Sequence, residues 1–195
     1  EFNVNISQLP FWALTVYFFW KSINSKNNKI YWILFGIFSA LGFLSKYLFI
    51  YLFAALFLYF VLNFKENKKF IFHYFLSLII SLLILLPHFI WLYDNNFVTI
   101  FYGLGRSDLT NYTLINHIKN PSIFLIKQIL ILIPFLIMVL VLIKKFKFKI
   151  NLKNRKTLFI ISINLIPIAL VLITAILSGA KIRTMWITPF YLFLG

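Results

Sequence analysis

A chain of 195 residues that is 62% hydrophobic, 21% aromatic and only 12% charged is too apolar for a water-soluble domain, where about a quarter of residues are charged. Its net charge of +15 does not indicate a nucleic-acid binder, because the basic groups lie in short gaps between apolar runs rather than on one folded face. The absence of cysteine excludes disulfides and thiolate metal sites.

Apolar stretches recur at the length needed to cross roughly 30 Å of hydrocarbon. They predict an all-α, polytopic transmembrane bundle forming a single domain over residues 1–195. Six complete spans are expected at about 8–20, 30–44, 47–63, 70–92, 122–143 and 157–177, with a truncated seventh at Pro189–Gly195. Because the chain opens on Glu1 and ends inside an apolar run, it reads as an internal fragment, not expected to be active alone.

Taken in order, the first span is followed by a basic gap at 21–29 holding Lys21, Lys26 and Lys29. Ile30–Leu62 comes next, broken only at Ser45-Lys46. One helix of that length would reach about 50 Å, more than a tilted span needs, so two short spans with a turn at Ser45-Lys46 are preferred. The gap at 64–69 carries Lys65, Lys68 and Lys69, and the run at 144–156 carries seven basic residues. Together these three gaps hold 13 of the 19 Lys and Arg, and only the two-span reading puts all three on one side, the cytoplasm.

That parity leaves the Ser45-Lys46 turn, the loop 93–121 and the segment 178–188 on the outer face. Within the loop, Val98–Tyr102 and Leu114–Ile118 are apolar enough to lie on the membrane surface as short helices. Trp12, Trp20, Trp32, Trp91 and Trp186 all fall near span ends, where interfacial tryptophans gather. Pro134 and Pro167 predict kinks inside their spans.

The outer side should be poor in Lys and Arg, yet it holds Lys46, Arg106, Lys119, Lys127, Lys181 and Arg183. Charged groups at membrane depth are costly and tend to mark function. A cationic cluster there suits phosphate oxygens, which a guanidinium grips in two places and an ammonium as a point charge. For Lys119 and Lys127 the plainer reading, snorkelling to lipid phosphates, is favoured. Lys46 follows GIFSALGFLS, where Gly36, Ala40 and Gly42 would let helices approach closely. Asp94 ends the fourth span and suits either a general base or a solvated helix end. His88 and His117 are possible metal ligands with Asp94 or Asp108, but their spacing matches no fixed motif, so a divalent metal stays open without being indicated and the cofactor is unassigned.

The stretches LGFLSKY at 41–47, PHFIWL at 87–92, FVTIFYGLGR at 97–106, NPSIFLIKQ at 120–128 and GAKIRTMWITPFY at 179–191 resemble the bacterial branch of the GT-C membrane glycosyltransferases. These are relatives of the protein O-mannosyltransferases and the lipid A aminoarabinose transferase, glycosyltransferase family 39 in type. The resemblance implies sugar transfer from a polyprenyl-phosphate donor, among membrane lipids, to a lipid, glycan or protein acceptor at the outer face of a bacterial cytoplasmic membrane. It implies a catalytic acid in a first outer loop upstream of residue 1, leaving the general base unassigned here. By the same resemblance Arg106 matches the family's arginine in the second outer loop, and Lys46, Lys181 and Arg183 are donor-phosphate candidates. His88, Asp94 and Tyr102 are substrate-binding candidates by position. A secondary transporter or lipid flippase is the alternative, although such folds usually show internal repeats and helices broken near the midplane, and no repeat is visible.

Overall fold

The computed structural model of the chain describes residues 3–25, 28–108, 113–146, 151 and 154–194, and among them no strand occurs. The helices in chain order are α1 (Val4–Asn24), α2 (Lys29–Ser45), α3 (Ile50–Leu62), α4 (Phe64–Asn67), α5 (Ile71–Asp94), α6 (Val98–Gly105), α7 (Asn116–Phe146) and α8 (Arg155–Ser178). Short 3-10 segments occupy Tyr47–Phe49, Lys68–Phe70 and Thr184–Tyr191. Every apolar block anticipated as a span is helical. Among the described residues, though, three helices are both long and apolar enough to cross a bilayer: Phe64–Asp94, Asn116–Ile143 and Arg155–Ser178. Lys29–Ser45 and Tyr47–Leu62 are apolar but shorter.

Ring contacts fix how the helices run. Phe18 of α1 stacks on Phe38 of α2, and Phe19 meets Trp32 and Phe35, so α1 and α2 are antiparallel. Trp32 meets Phe60 while Phe35 stacks on Phe53, which sets α3 antiparallel to α2. Trp32–Tyr74 and Phe43–Phe89 lay α5 parallel to α2. The start of α8 sits by the α3–α5 link, where Arg155 pairs with Glu66 at 3.4 Å and donates to Asn67 Oδ1 at 2.9 Å. The end of α8 lies by the start of α7, where Asn120 donates to the Gly179 carbonyl at 2.7 Å.

The break in the long apolar run falls at the polar pair Ser45-Lys46, as expected. α2 ends at Ser45, and Lys46 takes an extended backbone (φ −168°, ψ 131°) before the next turn begins. Small residues make the junction tight. A Cβ on Gly42 would lie 2.3 Å from the Phe49 ring, and one on Gly36 would lie 2.6 Å from the Ser77 carbonyl oxygen. Ser81 exploits that approach by donating from Oγ to the Gly36 carbonyl at 2.7 Å.

Three expectations are corrected. Trp12 and Trp32 are fully buried and belong to an aromatic core rather than to an interfacial belt. Trp12 stacks on Phe190 and meets Phe49 edge-on, because neighbouring helices cover the faces that sequence position alone assigns to the lipid. The loop expected over 93–121 is narrower, since α5 reaches Asp94 and α7 begins at Asn116. Its first half is the surface helix α6, whereas Leu114 and Ile115 form a turn leading into α7. The residues after Ser178 do not begin a seventh α-helix within the described part but turn through the 3-10 segment Thr184–Tyr191.

Candidate functional site

Lys46 is held from both neighbours in space. Its ammonium donates to Asn5 Oδ1 at the start of α1 and to the Trp186 carbonyl at 3.5 Å, and it lies 5.8 Å from the Trp186 ring centroid. Its own carbonyl accepts both from the Phe49 backbone N–H at 3.0 Å and from Gln8 Nε2 at 3.3 Å, and Gln8 is fully buried, so α1 is bonded directly to the extended residue that carries the lysine. Lys46 lies between α2 and the Tyr47–Phe49 turn, outside both apolar helices. Burial there disfavours its charged form and pushes its pKa down from 10.5 to about 8.

The second cation comes from α6. Asn96 and Phe97 both adopt positive φ (51° and 55°), which turns the chain sharply out of α5 and starts α6 at Val98. At the other end of α6, Arg106 is half-buried. Its Nη1 donates to Tyr102 Oη at 2.7 Å, one helical turn back, with the guanidinium over that ring. Arg106 Nε is buried without a hydrogen-bond partner among the described residues.

These groups share one cavity of about 730 Å³. Lys46, Tyr47, Tyr102 and Arg106 line it together with Asn3, Asn5, Thr99, Ser107 and Trp186, and apolar side chains such as Leu48, Ile50, Ile100, Leu104 and Met185 complete the wall. No carboxylate lines it among the described residues. The cavity therefore offers positive charge, hydroxyls and an apolar wall, a combination suited to an amphiphilic anion.

The remaining candidates lie elsewhere. His88 sits one hydrogen bond behind the wall, with Nε2 2.8 Å from Tyr47 Oη. Lys181 does not line the cavity; it pairs with Asp108 at 3.0 Å, both side chains largely exposed, and its backbone N–H donates to the Ser107 carbonyl at 2.9 Å. Arg183 is exposed, stands 6.0 Å from the Trp186 ring and does not line the cavity. Asp94 is exposed at the end of α5. Among the described residues no cluster of three His, Asp or Glu could hold a metal ion.

Sequence reasoning did not single out Asn5, Gln8, Tyr47 or Thr99, and took Trp186 only as an interfacial tryptophan. Their part depends on which helix ends meet, a long-range fact with no local motif. The nearest local signal was the adjacency of Tyr47 to Lys46 at the one break in the apolar run.

No curated protein and no solved structure matches the chain. Residues 1–91 match the family model of dolichyl-phosphate-mannose-protein mannosyltransferase. That stretch contains Lys46, Tyr47 and His88 and stops short of α6 with its Tyr102 and Arg106. Together with helices apolar enough to span a bilayer, the match bears out the resemblance to GT-C-type membrane glycosyltransferases.

Proposed function

We propose that the protein transfers a sugar from a polyprenyl-phosphate donor to a lipid, glycan or protein acceptor at the outer face of a cytoplasmic membrane. The Lys46–Arg106 cavity takes the donor's phosphate. The observation that carries this reading is the pairing of two cations, with no carboxylate beside them, inside one largely apolar cavity. A soluble sugar phosphate would gain little from the apolar wall, and a neutral lipid would leave two cations unmatched.

In the transfer, an acceptor hydroxyl or amine gives up its proton to the catalytic carboxylate that the family resemblance implies and attacks the anomeric carbon, while the bond from that carbon to the phosphate oxygen breaks. The electron pair stays on the lipid phosphate. The growing negative charge is met by the Lys46 ammonium and the Arg106 guanidinium, fixed before the reaction by Asn5, Trp186 and Tyr102. Fixed donors aimed at a developing charge typically contribute about 10²–10³ in rate each.

The basic gaps support the orientation. Arg155 meets Glu66 and Asn67, and Phe159 meets Trp20, so described parts of all three gaps lie at the end of the bundle opposite Lys46. With that end in the cytoplasm, the cavity opens toward the outer leaflet. The test is transfer by membrane-inserted Lys46→Ala and Arg106→Ala variants, each expected to lose about 10²-fold or more in rate while still inserting. Normal transfer by both would sink the assignment.

A further inference from the structure

α6 carries half of the proposed phosphate site yet is scarcely attached to the bundle. It has no buried residue, and Phe101 and Tyr102 are each 64% exposed. Among the described residues, two sets of contacts fasten it. Just beyond its C-terminus, Lys181 bonds the Ser107 carbonyl and pairs with Asp108. In its first turn, Thr99 Oγ1 lies 2.7 Å from Tyr47 Oη, which is itself 2.8 Å from His88 Nε2.

We infer that Tyr47 is a positioning residue: its single hydroxyl ties α6 to the end of α5 and so sets the gap between Lys46 and Arg106. The inference rests on the phosphate-binding reading above. Tyr47 follows Lys46 directly, so the ammonium and the tether share one short turn. Thr99 and Arg106 are seven residues apart on one helix, about 10 Å along its axis, so a shift at Thr99 is carried rigidly to the guanidinium. A phenol donates once and accepts from other donors, so one hydroxyl can satisfy both partners. If His88 is neutral and accepts, Thr99 donates to Tyr47. If His88 is protonated and donates, Tyr47 donates to Thr99. The tether holds in either state.

The tyrosine ring is anchored independently, 5.4 Å from the Phe43 ring and 5.8 Å from the His88 ring. Tyr47→Phe therefore removes the hydroxyl and leaves the packing. A lost neutral hydrogen bond costs a factor of about three to ten, which fixes the expected size of the effect.

Two readouts test the tether. Because the chain has no cysteine, a Phe101→Cys substitution on the exposed face of α6 takes a single spin label, whose mobility reports how firmly α6 is held. Binding of a polyprenyl phosphate in detergent micelles is measured without the label. Tyr47→Phe and Thr99→Val should each raise label mobility and weaken polyprenyl-phosphate binding about three- to tenfold, while Thr99→Ser, which keeps the hydroxyl, behaves like the unsubstituted protein. An unchanged label in Tyr47→Phe overturns the inference, as does a mobile label with unchanged binding. Lys46→Ala and Arg106→Ala report on the underlying reading. Unchanged binding in both sinks the cationic site and the tether's role with it. Weakened binding in both, alongside normal binding in Tyr47→Phe, sinks the tether alone.

Discussion

Raising the pH should weaken donor binding through one residue. Burial at the helix break brings Lys46 down to about 8 from 10.5. With a pKa near 8 the ammonium is about nine-tenths charged at pH 7 and about one-tenth at pH 9. If the bound phosphate requires the charged form, affinity for a polyprenyl phosphosugar falls about tenfold across that interval, or about 1.4 kcal/mol. A phosphodiester keeps one negative charge throughout, so the loss belongs to the protein. The groups in contact with the ammonium, Asn5 and Trp186, do not ionise. Titration calorimetry in micelles at pH 7, 8 and 9 reads the effect directly. Lys46→Arg supplies the control, since a guanidinium stays charged over the whole range and should flatten the change to less than about twofold. A flat profile in the unsubstituted protein, or an equal decline in Lys46→Arg, refutes the reasoning. The sign for the unliganded fold is opposite. The unfolded chain binds more protons between about 8 and 10.5, so the burial cost of Lys46 is present below pH 8 and fades as pH rises through that window.

Four further outcomes are expected. Gly36→Ala and Gly42→Ala should each destabilise the micelle-solubilised protein by about 1–3 kcal/mol, read as a lower melting temperature, because the new Cβ atoms would meet Ser77 and Phe49. Gly103→Ala, whose Cβ meets nothing within 4 Å inside α6, should be neutral or stabilising by up to about 1 kcal/mol. Lys181→Ala removes an exposed ion pair worth about 0–1 kcal/mol and should leave donor affinity within about threefold of normal in the same binding assay, with the Ser107 bond intact because it uses backbone. Finally, a reporter fused after Lys69 should be cytoplasmic and one after Asn111 external; the opposite pair reverses the orientation.

Much of the architecture was legible because it rests on local rules. The helices follow from the apolar runs and the break at Ser45-Lys46 from the polar pair that interrupts one of them, and the small residues before Lys46 announced the close contacts that Gly36 and Gly42 make. The tryptophans misled for a physical reason. An indole near a span end satisfies the interfacial rule equally well whether its ring faces lipid or a neighbouring helix, and Trp12 and Trp32 face helices. The cations divided along similar lines. Lys46 and Arg106 share the cavity, whereas Lys181 found Asp108, a pairing set by which segments fold back together. Tyr47 was illegible as a tether because it is one tyrosine among ten in a chain rich in aromatics at every helix end.

The brevity of the helices on either side of Lys46 has a consequence for the surrounding bilayer. α2 has 17 residues and so reaches about 26 Å, and the 16 residues Tyr47–Leu62 reach about 24 Å. Both fall short of a hydrocarbon layer about 30 Å thick. Where these helices span it, the leaflet must thin locally or the turn must sit beneath the headgroup plane, and that hydrophobic mismatch costs a fraction of a kcal/mol per ångström. Local thinning brings lipid phosphates level with the Lys46 ammonium, so the lipid-linked donor proposed above would arrive sideways, by diffusion within the leaflet.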